Sequence, residues 1–285
     1  MFDMNNKLVV TCVSENTSLH HSLLAQHGQS LHINYFGSEY LFDTGEIYEG
    51  FVYNLEHLQI SLENIRAIIM SHSHLDHFGA LPKLIGRLGN QKLYLPTDLE
   101  YLLVNEEKMH YSKNYRVIEA KELSGKAMIQ SVKNYQHALY IDKVTELVPG
   151  IFTTGLLPIK EEYKEHSLII KIPGKGLVIL VACAHPGIPA IIEKAREIGN
   201  DEKIYGIIGG LHYKGLDQEK VIDNIAYLKS LNLSFVIPSH CTGYKAIRVM
   251  QDKLGEIVKV SGTGQFGTGN SVQILPDLVL NFSVK

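Results

Sequence analysis

The chain has 285 residues, 45% of them hydrophobic and 20% charged, with a formal net charge of −3. That supplies ample apolar material for one large core, excludes global disorder, and gives no overall attraction to nucleic acid or an anionic membrane. Three cysteines, Cys12, Cys183 and Cys241, are too few and odd in number for a disulfide scaffold, and the first residues show neither a secretory signal nor a membrane span. The expectation is a cytoplasmic protein with a small-molecule partner, acting on neither nucleic acid nor membrane.

In chain order, short apolar runs bounded by turn residues predict strands at 8–13, 30–36, 40–42, 67–70, 93–95, 167–172, 177–181, 204–208 and 235–237. Apolar positions three or four apart predict helices at 75–88, 188–198, 217–231 and 244–254. From Glu256 the chain returns to strand character, with a Gly-rich turn at 262–269. Strands come first and strand–helix alternation later, which predicts two sheets between helical layers in a single α/β domain. The stretch 97–148 carries Tyr101, His110, Tyr111, Tyr115 and Arg116 with weak periodicity. It reads either as a solvated excursion or as a lid whose tyrosines and cations face a substrate.

The chemistry is concentrated in Ser71-His72-Ser73-His74-Leu75-Asp76-His77, directly after an apolar run. Residues two apart in an extended chain project to one side, so His72 and His74 converge, while Asp76 and His77 open a helix. Imidazole and carboxylate are ligands for zinc, iron or manganese more than for magnesium. A chance polar loop rarely holds three histidines and an aspartate within six residues at such a junction.

Two further strands end in the same way. One runs into Ala182-Cys183-Ala184-His185-Pro186-Gly187, the other into Pro238-Ser239-His240-Cys241-Thr242-Gly243. Cys183 and His185 share a face, and Cys183 either ligates or merely shapes the strand end. Asp43 before Gly45 is either a turn residue or an acceptor that orients a ligand histidine. His212 after Gly209-Gly210 marks a tight turn or a close approach to ligand. The helix start at Thr242-Gly243 is a candidate anion seat. His20, His21, His27, His32 and His57 lack this setting, and Glu165-His166 reads as a solvated pair.

These elements resemble the metallo-β-lactamase superfamily, whose His-x-His-x-Asp-His motif matches residues 72–77. Within it the chain is similar to the 7,8-dihydropterin-6-methyl-4-(β-D-ribofuranosyl)aminobenzene-5′-phosphate synthase subgroup. The match runs through Glu15-Asn16-Thr17, His27-Gly28, Phe42-Asp43-Thr44-Gly45, Cys183-Ala184-His185-Pro186-Gly187-Ile188, Ile208-Gly209-Gly210-Leu211-His212 and His240-Cys241-Thr242-Gly243. It departs at Thr154-Gly155-Leu156-Leu157-Pro158-Ile159, where the subgroup carries an acid and an arginine, with Lys160 as a substitute cation.

The resemblance implies a four-layer αβ/βα sandwich with two divalent ions. His72, His74 and His185 would hold one, and Asp76, His77 and His240 the other, with zinc foremost. It implies hydrolysis by activated water, with Asp76 as catalytic group; the residues themselves lead to the expectation of a small anionic, phosphorylated substrate, with His212, Thr242, Gly243, Tyr111, Tyr115, Arg116 and Lys160 as candidate contacts. The alternatives are the subgroup's joining of a pterin methyl diphosphate to an arylamine with loss of diphosphate, and a metal-containing binding or sensing protein without turnover.

Overall fold

The computed structural model describes residues 7–18, 20–98, 130–159, 163–275 and 278–284. Strands β1 (Leu8–Ser14), β2 (Ser30–Tyr35), β3 (Ser38–Phe42), β4 (Ile65–Ile69), β5 (Lys92–Pro96) and β6 (Ala138–Ile141) lie side by side in chain order. The chain then crosses to a second sheet through β7 (Val144–Val148) and β8 (Ile151–Thr154). A small hairpin follows, β9 (Leu157–Ile159) with β10 (Tyr163–Glu165), and then β11 (Leu168–Ile172), β12 (Gly176–Val181), β13 (Ile204–Gly210) and β14 (Phe235–Ser239) complete the second sheet. Finally β15 (Asn270–Leu275) and β16 (Leu278–Val284) return to the first sheet beside β1.

Alternation along the strands explains the layering. Val178, Leu180 and Ala182 join the core between the sheets, with Val10, Ile33, Phe42 and Ile69 from the facing sheet. Their neighbours Leu177, Ile179 and Val181 point the other way, onto α4 (Ile188–Gly199), α5 (Gln218–Ser230) and α6 (Tyr244–Leu254). On the outer face of the first sheet, Leu41, Ile68, Met70 and Leu93 pack with Phe51 and Leu55 of α1 (Tyr48–His57), Phe78 of α2 (Leu75–Phe78), and Leu81 and Leu84 of α3 (Leu81–Leu84). The continuous apolar run of β12 is what a strand buried on both faces requires. The result is the expected four-layer αβ/βα sandwich.

The helix expected over 75–88 is instead α2, α3 and a 3₁₀ turn, Ile85–Arg87. A side chain at Gly79 would press to 2.3 Å from the Glu46 carbonyl oxygen, and Pro82 lacks the N–H that a continuous helix would use. Helix α1 and strands β6–β10 were not anticipated. The expected excursion over 97–148 includes β6 and β7, one at the edge of each sheet. Tyr101, His110, Tyr111, Tyr115, Arg116 and Lys160 lie outside the described residues.

In each sheet the parallel strands aim their C-terminal ends at one edge: β3 and β4 in the first, β12, β13 and β14 in the second. The edges are stitched together by Gln29, which donates to the Val181 carbonyl at 2.9 Å and accepts from Ser239 Oγ at 2.7 Å.

Candidate metal centre

Every motif singled out at a strand end meets at this edge. The donor atoms of His72, His74 and His185 lie within 4.8 Å of one another, and so do those of Asp76, His77 and His240. Individual pairs are closer: His72 Nε2 to His74 Nδ1 at 3.1 Å, Asp76 Oδ2 to His240 Nε2 at 3.2 Å, His77 Nε2 to Cys183 Sγ at 3.2 Å. In a tetrahedral site with bonds of ~2.0–2.3 Å the donors stand ~3.3–3.8 Å apart, slightly wider than these pairs and inside the 4.8 Å span of each group.

Three buried carboxylates set the centre, one for each ligand loop. Asp43, fully buried, accepts from Ser71 N and Ser71 Oγ at 2.7 Å each and from His77 Nδ1 at 2.7 Å. With Nδ1–H committed to Asp43, His77 turns its Nε2 toward Cys183 and Asp76, at 3.2 and 3.7 Å. Ser71 Oγ also meets His72 Nδ1 at 2.8 Å, so the same carboxylate fixes His72 through the serine and leaves its Nε2 for the centre. Asp43 thus touches His77 directly and His72 through Ser71.

Glu165 and Glu15 were missed. Glu165 accepts the backbone N–H groups of Cys183, Ala184 and His185, each at 2.9 Å, and so fixes the β12 loop. Glu15 accepts His240 N at 2.9 Å, Gln265 Nε2, and both Thr17 N and Thr17 Oγ1 at 2.7 Å. Asn16 Oδ1 lies 2.9 Å from His240 Nδ1 and leaves Nε2 to face Asp76. Burial pushes Glu165 up to about 7 despite its three N–H donors. The sequence signals for Glu15 were its place just after an apolar strand and the Glu15-Asn16-Thr17 match to the synthase subgroup.

The imidazoles of His72, His74 and His185 are held neutral, the form that ligates metal. Burial and the crowd of neighbouring rings keep His72 well below its usual range, and burial brings His74 down to about 4. His77 differs: burial opposes its charged form, but Asp76 and Asp43 outweigh that and raise it to about 9. Burial would also raise Asp76, yet His77 and His240 hold it well below the carboxylate range. The residues present therefore fit a pair of divalent ions on the donor chemistry and spacing alike.

Four non-glycine residues at these strand ends adopt left-handed backbone: Asp43 (φ 63°), Ala184 (58°), His212 (51°) and His240 (47°). Such strain concentrates where side chains must be aimed. Gly28 serves the same end, because a side chain there would lie 1.9 Å from the Asp76 carbonyl oxygen. His27, expected to stand apart, reaches the mouth instead, with Nδ1 3.0 Å from Glu46 and Nε2 3.7 Å from Asp76. His212 packs 4.2 Å, ring to ring, from His185.

Thr242 is buried, with its hydroxyl turned inward to Leu211 N (3.0 Å) and the Ser239 carbonyl (2.8 Å). Only the backbone at Gly243, the N-cap of α6, is left to face an anion. Glu165 and His166 are not a solvated pair. His166 is fully enclosed, its Nε2 donating to the Met70 carbonyl at 2.7 Å, and it belongs to neither ligand group.

This fold and this centre are similar to those of the metallo-β-lactamase superfamily. The family model described as the metallo-beta-lactamase superfamily matches residues 37–170. Among curated proteins, the chain is 26% identical over 290 residues to the 7,8-dihydropterin-6-methyl-4-(beta-D-ribofuranosyl)-aminobenzene-5′-phosphate synthase of Methanocaldococcus jannaschii, covering 89% of this chain and 93% of that one. An uncharacterized protein of the same organism is 27% identical over 251 residues, 84% of this chain and 92% of the other. Among solved structures, Tm1679, described as a metal-dependent hydrolase of the beta-lactamase superfamily, aligns with a TM-score of 0.68 at 20% identity, over 96% of this chain and all of that one. The metallo-beta-lactamase fold protein YhfI from Bacillus subtilis aligns at 0.59 and 13%, over 94% of this chain and all of YhfI. Among the described residues no helix is long and apolar enough to cross a membrane.

Proposed function

We propose that this protein is a dinuclear metal-dependent hydrolase of small, anionic, phosphorylated molecules. The observation that carries this reading is the pairing of two adjoining ligand groups, His72/His74/His185 and Asp76/His77/His240, at one sandwich edge. Zinc, iron or manganese suits so imidazole-rich a set better than magnesium. Bound there, divalent ions would polarise a phosphoryl oxygen and acidify water at neutral pH.

The chain's own residues do the rest. Asp76 presents Oδ2 between His77, His240 and His27, at 3.7, 3.2 and 3.7 Å. From there its carboxylate accepts a hydrogen bond from the incoming water and orients it. Asp43, Glu165 and Glu15 hold the ligand loops in place before substrate arrives, so little reorganisation is needed during reaction. The first N–H groups of α6, beyond Gly243, have no partners within the helix and favour a phosphate. His27, carried on the Gly28 turn, stands at the mouth and closes the Asp76 side.

A second reading is transfer, favoured by the likeness to a synthase along nearly the whole chain. Against it, Leu156 and Ile159 occupy positions where that subgroup carries an acid and an arginine, and Ile159 is buried. Reaction in ¹⁸O-enriched water separates the two. Hydrolysis places one solvent oxygen in the product, whereas product formed only with an added arylamine and without solvent label would establish transfer.

A further inference from the structure

Two thiols at the centre have no part in the two ligand groups above. Cys183 follows β12 and Cys241 follows β14, strands that are not neighbours because β13 runs between them. They are nonetheless brought together. At the end of β13, a side chain at Gly210 would stand 2.7 Å from Cys241 Sγ and 2.4 Å from the Ala182 carbonyl oxygen. Only glycine lets Cys241 cross, and its thiol then donates to the Cys183 carbonyl at 3.5 Å.

The Cys183 sulfur is the hub of the cluster. It lies within 4.8 Å of donor atoms of His72 and His77, of His185 and His212, and of His240 and Cys241. It thus borders both ion positions, 3.2 Å from His77 Nε2. Cys241 in turn hydrogen-bonds His212. Cys12 is the contrast: it sits in the core between the sheets, its thiol donating to the Ser14 carbonyl at 3.4 Å.

We propose that Cys183 is a thiolate ligand shared between the two ion positions, and that Cys241, beside His212, is a second sulfur donor, so that the centre selects thiophilic ions. The assignment rests on the metal-binding reading above. On binding, the S–H bond breaks, a metal–sulfur bond forms and the proton leaves to solvent, with no change of oxidation state. Soft sulfur donors shift selection from hard, oxygen-seeking ions toward zinc, iron(II) and cobalt(II).

Cobalt(II) titration of the metal-free protein tests it. The expected spectrum combines visible ligand-field bands with a near-ultraviolet sulfur-to-cobalt band. That sulfur band should be largely lost in Cys183→Ser, reduced in Cys241→Ser and unchanged in Cys12→Ser. X-ray absorption of the zinc-loaded wild type, which needs no variant, should show a sulfur shell at ~2.3 Å beside nitrogen at ~2.0–2.1 Å. Ligand-field bands without a sulfur band, or a zinc shell of nitrogen and oxygen alone, overturn the sulfur assignment and leave the metal centre standing. No cobalt uptake at all overturns both.

Discussion

Glu165→Ala is expected to lower the stability of the metal-free protein by on the order of 3–5 kcal/mol, because it strands three buried N–H donors at ~1–3 kcal/mol each, with part recovered by relaxation and water. Those donors belong to Cys183, Ala184 and His185. Glu165→Gln should fall between the two. Its amide oxygen can still serve the Cys183 and Ala184 donors that share Oε1, while its NH₂ meets the His185 N–H donor to donor. Urea denaturation of the three proteins measures this directly. Alanine within about 0.5 kcal/mol of wild type, the range of ordinary surface substitutions, would show that the carboxylate does not hold the loop.

Asp43 should matter most for metal. Asp43→Ala is expected to weaken metal binding about 10–100-fold, the usual effect of removing a group that orients ligands. Asp43→Asn makes the sharper test because it preserves shape. Its Oδ1 can still accept Ser71 N, but its NH₂ would confront His77 Nδ1–H and the Ser71 hydroxyl. His77 then escapes the clash by moving its proton to Nε2, the atom that faces the centre. Asparagine should therefore be as damaging as alanine in competition titrations against a zinc chelator. An asparagine variant with wild-type affinity would refute the tautomer assignment.

The contrast between Asp43 and the two glutamates shows what was legible in the sequence. Residues 72–77 declare themselves because these candidate ligands are local, and period-two and helical geometry alone make them converge. His185, His212 and His240 are legible by repetition, each following an apolar strand. Asp43 carried a trace of its role in the Asp-Thr-Gly turn after a strand. Glu165 and Glu15 carried almost none, because their partners are backbone N–H groups 18–20 and 225 residues away. Backbone donors leave no signature in residue type. His27 likewise sits in an ordinary polar stretch, and only the turn at Gly28 brings it to Asp76.

The fold divides in the same way. Strands buried on both faces, such as β12 and β14, read directly as apolar runs. Short, charged edge strands such as β7, with Val144 and Glu146 exposed, do not, since half of their residues face water. The helix expected over 75–88 failed because periodicity continued through Gly79 and Pro82, while the backbone contact with Glu46 that ends it lies 33 residues upstream. Local pattern and tertiary constraint agree over most of the chain and part at the site.

The most direct test of the account is the metal content of the purified protein, measured by elemental analysis after expression in metal-supplemented medium and again after titration of the stripped chain. The account predicts close to two divalent ions per chain, with His185→Ala and His240→Ala each reduced toward one while remaining folded. A wild-type protein that carries no metal and takes none up would contradict it.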